Sequence, residues 1–85
     1  MTARILIADG SATTRITLKV RLTAACYDVQ TAASDAQSQQ HLRDGAPDMV
    51  LLGTGFAGAD IVDTCARIIR QRPAITVLAL TDDAR

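Results

Sequence analysis

The sequence predicts an α/β fold: a doubly wound, open parallel sheet with helices on both faces. Three observations carry that prediction. Arg4–Ala8 (RILIA), residues 49–52 (MVLL) and Thr76–Leu80 (TVLAL) are apolar runs without alternation, the pattern of strands covered on both faces. Helical segments separate them, marked by capping residues before and by glycine or proline after. The resulting order, β-α-β-α-β-α-β, closes into one sheet through right-handed crossovers.

Eighty-five residues make one small domain, residues 1–85, with a limited core. Tyr27 and Phe56 are the only aromatics, so packing rests on Ile, Leu, Val and Ala. Nine basic residues balance nine acidic ones without a Lys/Arg run, which disfavours nucleic acid and membrane surfaces as partners. The apolar stretch at residues 5–8 is too short for a signal-peptide core, and no stretch reaches membrane-spanning length. A cytoplasmic protein is expected. Cys26, Cys65 and His41 are the only soft ligands, too few for a structural zinc site, and both cysteines are expected to be reduced.

The first strand, residues 4–8, runs into Asp9-Gly10-Ser11, where Ser11 caps a helix reaching about residue 25. Leu18, Leu22 and Ala25 share the face expected to cover the sheet. Ile16 and Val20 lie roughly opposite, a candidate face for a partner helix. Tyr27, Val29 and Thr31 alternate with Asp28 and Gln30, the pattern of an edge strand. Ser34 and Gln37 form a capping box, and Gly45 is expected to close the second helix in a left-handed conformation before Pro47. That helix offers little beyond Ala36 and Leu42 to bury, so weak docking is expected, with His41 solvated. A third helix is predicted over about residues 59–71, ended by Pro73. The fourth strand, residues 76–80, reads as interior although only five residues follow it. A chain forming part of a longer domain, or one that completes its sheet with another copy, is expected.

Between the third strand and third helix, Gly53, Gly55 and Gly58 fit G-x-G-x-x-G, the layout of a dinucleotide-binding loop. The pattern sits in the third strand-helix unit, however, and the helix starts after the glycines. Too few residues follow for the rest of such a domain.

MTARILIADG, RLTAACYDVQTA, APDMVLL and VLALTDDAR together resemble the receiver domain of bacterial two-component response regulators, across all 85 residues. They resemble in particular the first receiver of PleD-type regulators, whose output is a diguanylate cyclase. The resemblance implies the CheY-like (flavodoxin-like) topology, a five-stranded doubly wound sheet of which this chain holds the first four strand-helix units; the fourth helix, fifth strand and fifth helix are absent from it. It also implies where phosphorylation would occur. Asp9 matches the first acid of the Mg²⁺-binding pair, but Gly10 stands at the second. Gly53 stands at the phosphoacceptor aspartate, and Thr81 matches the hydroxyl residue that senses the phosphoryl group. The family's lysine falls beyond Arg85.

Phosphoryl transfer needs an in-line nucleophile and a cation to neutralise developing charge. Glycine supplies neither. The sequence therefore leads to a degenerate receiver without catalysis, metal or cofactor, with Mg²⁺ binding lost. It is expected to serve as a phosphorylation-independent dimerisation or interaction module, whose partner is another protein, a second copy or a downstream diguanylate cyclase domain. The alternative is a nucleotide-binding βαβ unit at Gly53 to Gly58.

Overall fold

Four strands, β1 (Arg4–Ala8), β2 (Asp28–Ala32), β3 (Met49–Gly53) and β4 (Thr76–Leu80), alternate with α1 (Ala12–Ala24), α2 (Asp35–Asp44) and α3 (Ile61–Gln71). This is a computed structural model describing residues 2–53 and 61–80. All pairings are parallel, in the order β2-β1-β3-β4. The predicted edge position of β2 is observed. Helix α3 is described from Ile61; residues 59 and 60, which the sequence reading included, lie outside the described residues.

Uninterrupted apolar runs make sense here because both sheet faces are covered. Leu6, Ala8, Val50 and Leu52 point to one face with Ala32, Leu42 and Ile68, where α2 and α3 pack. Ile5, Ile7 and Leu51 point to the other, against Leu18 and Leu22 of α1. Each fully buried Leu, Ile or Val among them contributes about 1.5–3 kcal/mol relative to exposure. Ala25 is exposed rather than part of the α1 contact, since it already lies in the turn that ends the helix.

Helix α2 buries two of its residues against the sheet. Leu42 and Ser38 are buried, whereas Ala36 is exposed. The start of α2 is the predicted capping arrangement in modified form: the Ser34 hydroxyl accepts from the Gln37 N–H at 3.3 Å, and the Gln37 amide oxygen accepts from the Ala33 N–H at 2.7 Å. His41 is half-buried rather than fully solvated.

The connection from α2 to β3 differs from expectation in one respect. Gly45 has φ −96°, an ordinary helical value, and Ala46 takes the left-handed conformation at φ 45°. Glycine is required at 45 for closeness: a Cβ there would lie 2.6 Å from the Gln30 amide oxygen and 2.9 Å from the His41 carbonyl oxygen. At the end of α1, Cys26 occupies the left-handed position at φ 72°. The Tyr27 N–H donates to the Leu22 carbonyl at 3.1 Å and the Cys26 N–H to that of Thr23 at 3.0 Å, the Schellman pattern.

The amino-terminal ends of the strands are tied by Arg4. Its backbone N–H donates to the Asp48 carboxylate at 2.8 Å, and the Asp48 N–H donates back to the Arg4 carbonyl at 2.8 Å. The Arg4 guanidinium pairs with Asp28 at 2.9 Å and also donates to the Gly45 carbonyl.

Left-handed backbone costs a side chain about 1–2 kcal/mol, and glycine returns about 0.5–1 kcal/mol of that as unfolded-state entropy. Cys26→Gly is therefore expected to stabilise the fold by about 0.5–1 kcal/mol in urea denaturation. Gly45→Ala should destabilise it by about 1–3 kcal/mol, because the new methyl group meets backbone that cannot retreat.

Candidate functional site

Strands β1 and β3 are neighbours with Ala8 beside Leu52, so their carboxyl-terminal ends bring Asp9 and Gly53 together. Asp9 is only 9% exposed. Its backbone N–H continues the ladder to the Ala32 carbonyl at 3.1 Å, which fixes where its side chain leaves the chain.

That side chain turns onto Gly53. A Cβ at 53 would lie 2.1 Å from Asp9 Oδ2 and 2.5 Å from its Cγ, so the carboxylate fills the space where any side chain at 53 begins. The other carboxylate oxygen, Oδ1, accepts from the Ser11 N–H at 2.7 Å. Ser11 in turn caps α1, its hydroxyl accepting from the Thr14 N–H at 3.3 Å. Arg15, one turn into α1, donates to the Asp9 carbonyl oxygen at 2.7 Å. Asp9 is thus held by the backbone on one side and by the start of α1 on the other.

Of the positions singled out from sequence, Asp9, Gly10 and Gly53 converge at this end of the sheet. Gly10 is exposed at the bend between Asp9 and the α1 cap. Thr81 lies outside the described residues, as do Asp82, Asp83 and residues 54–58 of the glycine-rich loop. Ile16 and Val20 lie apart from the strand ends on α1, at 63% and 62% exposure. Sequence reasoning gave no role to Arg15, and it did not anticipate that Asp9 would take up the room at Gly53. A small residue beside a neighbouring strand's acid is the only hint of it.

Chemically the described part of the site offers one carboxylate. No group of three or more His, Cys, Asp or Glu that could hold a metal ion occurs among the described residues. A Mg²⁺ site of the kind the resemblance implies needs several oxygen ligands. Gly10 and Gly53 contribute no side-chain oxygen, and Asp9 Oδ1 is engaged with Ser11. The described residues at this end of the sheet do not by themselves supply such a ligand set.

Comparison with known proteins gives consistent neighbours. No family model matches the chain. It is 36% identical over 85 residues to the transcriptional regulatory protein AfsQ1 of Streptomyces coelicolor, covering 98% of this chain and 37% of that protein. The chain thus spans well under half the length of the curated relative it matches. Among solved structures, the signal receiver domain of an HD domain-containing protein from Pseudomonas fluorescens Pf-5 superposes with a TM-score of 0.90 at 26% identity, covering 100% of this chain and 68% of that one. The non-phosphorylated HemR receiver domain from Leptospira biflexa gives 0.85 at 26% identity, covering 99% and 68%.

Gly53→Ala should destabilise the protein by about 1–3 kcal/mol, since the Asp9 carboxylate must leave its position and its bond to Ser11. In an Asp9→Ala background the same substitution should cost less. A double-mutant cycle by chemical denaturation is expected to show a coupling of at least about 0.5 kcal/mol.

Proposed function

We propose that this chain, which has the CheY-like receiver fold of the two-component response regulators, is a degenerate receiver that works without phosphorylation, as a dimerisation or protein-interaction module. One observation carries the reading. The end of β3 bears no carboxylate, and the space a side chain would enter is taken by Asp9, 2.1 Å from the Cβ position of Gly53. Glycine at position 53 offers no acceptor carboxylate, and no group of three or more His, Cys, Asp or Glu that could hold a metal ion occurs among the described residues.

On this reading the module is not an enzyme, binds no Mg²⁺ and acts in the cytoplasm; no described helix is long and apolar enough to cross a membrane. Its partner is another protein or a second copy. Ile16 and Val20, exposed on one face of α1, are one surface for such contact. The output it serves is either a transcriptional one, as in the regulatory protein it is similar to, or the diguanylate cyclase that the sequence resemblance implied. The alternative of a dinucleotide at the glycine-rich loop gains no support, because a carboxylate packed on the first glycine opposes a pyrophosphate there.

The test is incubation with acetyl phosphate or beryllofluoride plus Mg²⁺. The intact mass and the amide NMR spectrum are expected not to change; a stoichiometric, Mg²⁺-dependent response would overturn the proposal. Gly53→Asp alone is expected to remain unphosphorylated, because it restores a nucleophile but no cation site. Phosphate uptake by that single variant would show that the account of the missing cation is wrong.

A further inference from the structure

The β2 edge of the sheet is open whatever follows β4. Both chain neighbours of β2, the helices α1 and α2, are described, and in this fold a further strand adds beyond β4, in the order 2-1-3-4-5. The Asp28 N–H donates to the Ala3 carbonyl at 3.0 Å, and the Ala32 carbonyl accepts from the Asp9 N–H at 3.1 Å. Asp28, Gln30 and Ala32 therefore turn their backbone groups to β1, and the alternate residues Val29 and Thr31 turn theirs outward. Those outward N–H and C=O groups meet no partner among the described residues. The ladder is closed off at Ala33, whose N–H is taken by the Gln37 side chain.

A cavity of about 530 Å³ lies along this edge. One wall is α2, which turns Gln37, His41 and Asp44 to it at i, i+4, i+7 spacing. The other wall is α1. Arg15 lines it, held in place by its bond to the Asp9 carbonyl oxygen, and Lys19, exposed one turn on, falls on the same flank of the helix. No acidic residue occurs anywhere in α1. Gln30 also lines the cavity, and its amide oxygen is buried without a hydrogen-bond partner.

We propose that this edge takes up an extended, acidic segment of a partner protein as an added strand, with carboxylate side chains at alternate positions turned toward α1. Outward backbone at Val29 and Thr31 supplies the strand-to-strand hydrogen bonds, and the basic flank of α1 selects the sequence. The spacings agree. Alternate residues of a strand stand about 6.8 Å apart, and the four residues from Arg15 to Lys19 rise about 6 Å along the helix. A second copy suits the edge less well, because antiparallel pairing of two β2 strands about Gln30 sets the basic flanks of two α1 helices against each other.

This surface adds a docking edge to the interaction role proposed above but does not rest on Gly53. A phosphodonor response would leave it intact, and failure to bind a peptide would leave the reading of Gly53 intact.

The test is titration of the ¹⁵N-labelled chain with the capped peptide acetyl-Val-Glu-Thr-Glu-Val-amide, followed by amide NMR and hydrogen exchange. Saturable binding that weakens with added salt is expected, with exchange of the Val29 and Thr31 amides slowed at least about tenfold at saturation. The same peptide with both Glu residues replaced by Lys should bind at least about fivefold more weakly, as should the Glu peptide to the Lys19→Glu variant. Circular dichroism checks that the variant is folded, and the pair of peptides tests the charge requirement without any variant. The proposal would be overturned by the absence of a saturable shift at millimolar peptide, by equal binding of the two peptides, or by binding that leaves the Val29 and Thr31 amides unprotected. A dimer of the chain that protects those amides without peptide would also overturn it, and would assign the edge to a second copy.

Discussion

A strand buried on both faces needs apolar side chains at successive positions and a helical layer on each side of it. Strands β1 and β3 meet both demands: Leu6, Ala8, Val50 and Leu52 serve one layer and Ile5, Ile7 and Leu51 the other. Everything else is placed by that requirement. Helices α2 and α3 lie on one face and α1 on the other, as right-handed crossovers give for the order β2-β1-β3-β4. It also puts the carboxyl-terminal ends of the two best-buried strands side by side, at the point where the chain turns to opposite faces of the sheet. Sites in open α/β sheets arise there for this reason.

At that point the Asp9 carboxylate packs on Gly53. A buried carboxylate is costly unless hydrogen bonds satisfy it. Asp9 meets this cost through the Ser11 N–H and rests on a glycine that leaves it room. The acid that the resemblance assigns to cation binding thereby becomes part of the α1 cap. Gly53 is then more than an absent nucleophile, since the neighbouring strand depends on its having no side chain.

Much of this was legible in the sequence. The uninterrupted runs RILIA and MVLL identified the interior strands because burial on both faces leaves no position for polar residues. Alternation in Tyr27 to Thr31 identified the edge because one side there stays wet. Ser11 and Ser34 marked helix starts through the need to satisfy free N–H groups. What the sequence could not convey was proximity between distant segments. Gly45 looked like a left-handed cap, yet it is small because Gln30 crowds it, and a contact thirteen or more residues away leaves no local pattern. The left-handed turns fell to Cys26 and Ala46, residues with no special preference for them, imposed by the return of the chain to the sheet. The same holds for Asp9 against Gly53. Strand β4 read from its composition as an unfinished interior strand, and among the described residues β3 is the strand that pairs with it.

The ties made by Arg4 lie at the end of the sheet away from Asp9 and Gly53. Asp28, Gly45 and Asp48 are gathered there by one side chain and its backbone, so the strand starts stay in register whatever stands at the strand finishes. On the proposed reading of the site, such a division separates what holds the sheet in register from what stands at its other end.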